Sequence, residues 1–186
     1  FIFLPIVFSF YFIFKKKIQF IFLIFAGFVF YAAWNIKFSP LILFSIIINY
    51  FLCRLIINHN EKNRKKVILI ISIIFNIFYL GIFKYADFFI SNINFITGSN
   101  IGLWNLPFPL ALSFVTFQTI AFVCDCYENN IKDLNLRKYA LFIIFFPQLI
   151  AGPIVRFNQM LTQFESDENS KINFKNIILG LIILSI

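Results

Sequence analysis

The chain has 186 residues, 61% of them hydrophobic and only 13% charged, with a mean hydropathy of +0.88. That polar fraction is too small to coat a soluble domain, so the composition points to an integral membrane protein. The net charge of +8 then belongs to short loops between apolar runs, where Lys and Arg set orientation, and it is no sign of a nucleic-acid partner.

Seven apolar runs follow in order: residues 1–14, 18–34, 40–57, 67–83, 106–124, 139–155 and 174–186. Backbone groups in lipid must be satisfied within their own segment, so each run is read as a helix. The expected fold class is all-α, a polytopic transmembrane helical bundle forming one membrane domain over 1–186. The chain opens without Met inside one run and stops inside another, so it is expected to be the N-terminal part of a longer protein, truncated at both ends. Lys15, Lys16 and Lys17 follow the first run instead of preceding it, which favours a span over a signal peptide. Residues 84–105 are mixed in polarity. They carry the turn signal Thr97-Gly98-Ser99-Asn100, and Phe88, Phe89, Ile90, Ile96 and Trp104 suit an interfacial helix lying on the membrane. Pro107 and Pro109 suit the first turn of the next helix.

The run over 139–155 is interrupted. Pro147 removes a helix donor and restricts the residue before it, and Gly152-Pro153 is a second break. Two readings stay open, a span with a proline kink and a re-entrant segment that dips in and returns. With simple alternation of loops, one end of the bundle collects 11 Lys and Arg and the other 5. A re-entrant segment moves Arg156, Lys171 and Lys175 to the richer end and makes the count 14 to 2. The richer end should face the cytoplasm.

Few side chains suggest chemistry. His59, the only histidine, lies in a polar loop without a partner to orient it, so it is read as solvated. Cys53, Cys124 and Cys126 do not make a metal site and are read as small hydrophobes. Ser113 and Thr116 suit back-bonding to the preceding helical turn. Gln118 and Asp125, seven apart, share a helical stripe and are costly in lipid, so they should face an interior or an aqueous rim. Gln148 either donates to a bound group or satisfies backbone freed by Pro147. Arg156 either meets an anion or snorkels to the interface.

Two strings carry a family resemblance: LPFPLALSFVTFQTIAFVCDCY over 106–127 and YALFIIFFPQLIAGPIVRFNQM over 139–160. They resemble the membrane-bound O-acyltransferase family, in the bacterial branch of alginate O-acetylation and teichoic-acid D-alanylation proteins. FAGFVFYAAWN over 25–35, NYFLCRL over 49–55 and LGIFKYADFF over 80–89 are similar to the same branch. Two positions depart from its usual pattern: Ala111 stands where Gly is usual, and Glu128 where a basic residue is usual. The resemblance implies a multi-pass protein of the bacterial plasma (inner) membrane that transfers an acyl group to hydroxyls of an envelope polysaccharide. It implies an acyl donor, an acyl-CoA or an acyl-carrier-protein thioester, as cosubstrate, with no bound cofactor and no metal. The partners implied are membrane lipid, the donor, and the polysaccharide or a partner acyltransferase. The catalytic histidine of such a protein would fall beyond Ile186, so none is expected here, while Gln118, Asp125, Gln148 and Arg156 become candidates to line the route of the substrate. A transporter or channel module, or a subunit relaying acyl groups to an extracellular transferase, are the alternatives.

Overall fold

The computed structural model describes residues 2–131, 134–150, 152–153, 155–166 and 172–185. Helices occur in chain order as α1 (Phe3–Tyr11), α2 (Lys16–Asn35), α3 (Ser39–Asn58), α4 (Lys62–Thr97), α5 (Leu112–Tyr127), α6 (Leu136–Ile144), α7 (Phe146–Leu149), α8 (Phe157–Glu165) and α9 (Phe174–Ser185). A 3-10 turn, Ile36–Phe38, joins α2 to α3. No strand occurs among the described residues. The stretches Ile18–Asn58 and Lys62–Thr97 are long and apolar enough to cross a membrane.

Polarity is distributed as lipid demands. The outward faces of α2, α3 and α4 carry Ile21, Phe25, Phe44, Ile47, Phe51, Ile70, Ile74 and Phe78, all exposed. The interior holds Asn49, Asn76, Ser45, Ser72, Thr116, Gln118 and Thr119, all buried. Water cannot supply hydrogen bonds at that depth, so polar side chains turn inward and pair with each other or with backbone. Asn49 and Asn76 do so reciprocally. Asn76 Nδ2 donates to Asn49 Oδ1 at 2.7 Å and Asn49 Nδ2 to Asn76 Oδ1 at 3.2 Å, which locks α3 to α4. Each amide also donates back to its own helix, to Ser45 O at 2.9 Å and Ser72 O at 2.8 Å.

The apolar core lies where α3, α5 and α6 meet, around Cys53, Ile56, Phe122, Val123, Tyr139, Phe142 and Ile143. A satellite cluster joins α1, α2 and α7 through Val7, Leu23, Ala26 and Phe146.

Two expectations are corrected. Residues 84–97 are not a separate interfacial helix. They continue α4, which runs for 36 residues, about 54 Å at ~1.5 Å per residue against a hydrocarbon core of ~30 Å. Lys84 and Asp87 do not interrupt it, because a single charge costs little helix propensity. The helix ends where the turn signal lies, with Gly98 left-handed at φ 68. Beyond it the chain folds back along α4: Asn94 brackets Ile101, and the Asp87 carboxylate accepts from the backbone of Trp104 at 2.8 Å and of Asn105 at 3.0 Å.

Pro107 and Pro109 likewise do not open α5. They sit in the irregular stretch before it, and the helix begins at Leu112. Its N-cap is Ala111 at φ 56, in the left-handed region. An L-residue pays for that conformation and glycine does not. Replacing Ala111 with Gly should therefore stabilise the protein, by about 0.5–1 kcal/mol after the added freedom of the unfolded chain is subtracted. Thermal unfolding in detergent should show a higher midpoint. The Asn pair gives a second expectation. Asn49→Leu or Asn76→Leu alone strands one buried amide and should cost about 1–3 kcal/mol, and the double substitution should cost less than the sum of the two.

Candidate functional site

The interrupted helix is the most unusual local feature of the bundle. α6 ends at Ile144, and Phe145 turns the chain at φ −60, ψ 101. The break thus falls two residues before Pro147. Pro147 itself occupies the first turn of α7, where its missing donor costs nothing. The backbone N–H groups of Gln148 and Leu149 both donate to Phe145 O, at 3.0 and 3.1 Å. Gly152 N then returns to Gln148 O at 3.0 Å and closes the loop.

A helix end leaves carbonyls without intrahelical partners, and at membrane depth they must be satisfied by protein. Gln118 does this at the end of α6, and Gln148 ties the exposed loop beyond it. Gln118 of α5, fully buried, donates from Nε2 to Phe142 O at 3.1 Å, in the last turn of α6. Gln148 donates from Nε2 to Pro153 O at 2.8 Å, on the far side of the break. Gln118 Oε1 is buried without a hydrogen-bond partner, so acceptor capacity remains beside the break.

Glycine permits the close approaches. A Cβ on Gly152 would lie 2.8 Å from both Cα and O of Gln148. A Cβ on Gly27 of α2 would collide with the carbonyl oxygen of Ile144, so this glycine is what lets the broken end of α6 press against α2. Aromatic contacts then seat α7, with Phe146 against Phe3 at 5.0 Å and Phe30 at 5.5 Å between ring centres.

After the break the chain returns to the end it came from. Phe157, opening α8, packs on Phe122 at 4.9 Å and on Phe142 at 5.4 Å, while Tyr139 stacks on the same Phe122 at 4.5 Å. Asn158 Nδ2 donates to Asn130 O at 3.0 Å, in the loop that precedes α6. Lys138, at the start of α6, pairs with Glu165, at the end of α8, at 2.7 Å. Lys16 reaches Glu165 O at 2.5 Å and Lys65 reaches Asn129 at 2.8 Å. The loop after α1, the start of α4, the loop before α6 and the end of α8 therefore gather at one basic end of the bundle. This is the geometry of the re-entrant reading; a single straight span over 139–155 is not what forms. Lys171 lies outside the described residues.

The four candidate residues are not brought into one cluster. Gln118 and Gln148 serve the two sides of the break. Asp125 is near the end of α5, where Asn130 Nδ2 approaches its Oδ1 at 3.3 Å and Asn130 N donates to its backbone O at 3.0 Å, so it holds a rim turn. Arg156 is exposed and N-caps α8 with extended backbone. Thr116 back-bonds to Leu112 O at 2.8 Å. His59 ends α3 in the following loop, its N–H closing on Leu55 O. Cys53 and Cys126 are buried free thiols. Sequence reasoning missed Gly27, Tyr139, Thr119 and the Asn49–Asn76 pair. Asn49 and Asn76 were detectable as amides inside apolar helices; the role of Gly27 needed the packing of α2 on α6.

An all-α membrane bundle with an internally satisfied broken segment is the class this geometry defines. Comparison with known proteins narrows it. The chain is 40% identical to a peptidoglycan O-acetyltransferase of Helicobacter pylori, over 88% of this chain and 36% of that protein. It is 32% identical to a probable alginate O-acetylase AlgI of Pseudomonas aeruginosa, over 88% of this chain and 33% of that one. A teichoic acid D-alanyltransferase of Lacticaseibacillus rhamnosus is 24% identical over 67% of this chain and 28% of its own length. On this homology the chain belongs to the membrane-bound O-acyltransferase family. It spans about a third of the length of the curated relatives it matches. No family model and no solved structure matches it.

The break makes a specific demand on Gln118. Gln118→Leu keeps the volume but leaves Phe142 O buried without a donor, and should lower stability by about 1–3 kcal/mol. Gly152→Ala should also destabilise, because backbone atoms of Gln148 cannot rotate out of the way. Protease sensitivity confined to residues 145–157, measured in detergent alongside thermal unfolding, should rise in both variants.

Proposed function

We propose that the full-length protein is a multi-pass O-acyltransferase of the plasma membrane that transfers an acetyl or other acyl group to hydroxyls of a cell-envelope polysaccharide. The observation that carries this reading is the broken segment after α6, where the buried Gln118 amide takes the carbonyl of Phe142 and Gln148 ties the exposed loop to Pro153 O, in a chain whose relatives are named for O-acetylation of envelope polymers. Non-helical backbone at membrane depth is tolerated where it is covered by protein or lines a cavity, and a route for a polar acceptor through an apolar bundle needs such a cavity. The relative with 40% identity is named for peptidoglycan, which makes a hydroxyl of peptidoglycan the acceptor best supported.

The chemistry is acyl transfer from a thioester, an acyl-CoA or an acyl-carrier-protein donor. The acceptor hydroxyl attacks the thioester carbonyl, its proton passes to a base, and the thiol leaves. The base is a histidine outside these 186 residues. The basic end of the bundle faces the cytoplasm, where the donor is made, and the opposite end faces the acceptor. Within this chain Gln118 and Gln148 act as positioning residues. They hold the shape of the segment, and Gln148 still has an acceptor oxygen to offer. Arg156 stands where an anionic group of the donor can be met without desolvation.

The test is made in cells lacking the gene. Ester-linked acetate released from the envelope polysaccharide by mild base should vanish, and return with the full-length gene. Gln148→Leu should lower it about tenfold, the equivalent of one lost hydrogen bond of ~1.4 kcal/mol, while the protein still inserts. Full acetylation by Gln148→Leu would remove the segment from the reaction route. Unchanged acetate in the deletion strain would overturn the function itself.

A further inference from the structure

Tyr79 OH is buried without a hydrogen-bond partner. Its ring is held in place, with Phe75 stacked on it at 6.1 Å and Phe83 edge-on at 5.6 Å between ring centres. Tyr79 stands about 20 Å along α4 from Lys66, at ~1.5 Å per residue, so it lies within a hydrocarbon core of ~30 Å. A hydroxyl left unpaired at that depth carries its full desolvation cost. Tyr79 lines a small cavity of about 10 Å³, which is room for one water molecule. Four helices meet around this cavity and each brings one hydroxyl side chain: Tyr31 from α2, Ser45 from α3, Tyr79 from α4 and Thr116 from α5. Tyr31, Ser45 and Thr116 are all buried. The rest of the wall is aliphatic.

The bonding capacity of these hydroxyls defines the ligand. Thr116 Oγ1 donates to Leu112 O at 2.8 Å, which leaves its lone pairs to accept. Ser45 Oγ accepts from Asn49 Nδ2 at 3.4 Å, which leaves its proton to donate. Tyr79 can do either. A ligand here must both accept and donate, which a metal cation cannot do and water can. We propose that the cavity holds one water molecule, accepting from Tyr79 and Ser45 and donating to Thr116. Three hydrogen bonds is the usual complement of a buried water. The water joins α3, α4 and α5, and it extends the Asn49–Asn76 pair, which already contacts Ser45, into one polar network. Thr116 is two residues before Gln118, so the water holds the stretch of α5 from which Gln118 reaches Phe142 O. This assignment does not depend on the acyl-transfer reading.

The test uses the full-length protein in lipid nanodiscs, with two readouts. The first is thermal unfolding of Tyr79→Phe, which removes one oxygen and keeps the packing. If the hydroxyl holds a water, the midpoint should fall by about 2 °C. A hydroxyl with no partner predicts the reverse, since its loss relieves a desolvation cost, so an unchanged or raised midpoint would overturn the proposal. Combined with Thr116→Val, the loss should be smaller than the sum of the two single losses, because both variants remove bonds to the same water. Additive losses would overturn the shared ligand. The second readout is radiolytic hydroxyl-radical labelling, in which radicals form from the water itself. Tyr79 should be oxidised, while its neighbour Phe78, exposed on the lipid-facing side of α4, should not. Thr116→Val should lower the oxidation of Tyr79. Tyr79 labelled no more than Phe78 would show the cavity to be dry. A midpoint that depends on sodium in place of choline would assign the cavity to a cation and overturn the proposal too.

Discussion

The hydrogen bond from Gln118 to the carbonyl of Phe142 is the contact on which the rest of this structure turns. A helix that stops inside a bundle exposes carbonyls which lipid cannot satisfy. Without a donor from α5, the carbonyl of Phe142 at the end of α6 would be buried and unpaired. With it, α6 can stop, Phe145 can change direction, and Pro147 falls at the start of a new helix where it does no harm. Beyond the break, Gln148 ties the exposed loop by donating to the carbonyl of Pro153. Gly152 and Gly27 then matter for the same reason, since both let backbone approach backbone where a side chain would hold it off. An amide serves better than a charged group here. It supplies a donor for the carbonyl without the desolvation cost of burying an ion.

The remainder of the bundle supports that arrangement. The reciprocal amide pair of Asn49 and Asn76 fixes α3 against α4, and α5 packs on both. This sets the position from which Gln118 reaches α6. Phe122 on the next turn of α5 gathers Tyr139, Phe142 and Phe157 around one ring, so the descending and returning strands of the excursion share a single packing centre. At the basic end, Glu165 between Lys16 and Lys138 and Asn158 against Asn130 tie the returning chain to the loop it left. Exposed ion pairs of this kind add little stability; their value here is in fixing which end α8 reaches.

Much of this was legible in the sequence. The apolar runs gave the helices and their order, Gly98 marked the end of α4, and Pro147 with Gly152-Pro153 marked the interruption. The position of the bend was less legible, because Phe145 changes conformation one residue earlier than the restriction imposed by Pro147 requires. Two helix limits were misjudged for clear reasons. Lys84 and Asp87 read as the end of a span, but a long helix tolerates them and only a left-handed residue stops it. Pro107 and Pro109 read as helix openers, but the chain needs a left-handed Ala111 first. The glutamines were recognisable as costly in lipid, while their partners, two backbone carbonyls, carry no residue signature at all. Gly27 is the same case, since its partner is again a carbonyl.

The central claim is that the segment after α6 enters the bundle and returns to its starting side, and cysteine accessibility reads it directly. In the full-length protein, with Cys53, Cys124 and Cys126 replaced, Arg137→Cys and Gln159→Cys place exposed thiols just before and just after the excursion. The account predicts that both react with a membrane-impermeant maleimide from the cytoplasmic side, and that neither reacts from outside intact cells. Labelling of the two positions from opposite sides would contradict it and leave Pro147 as a kink in an ordinary span.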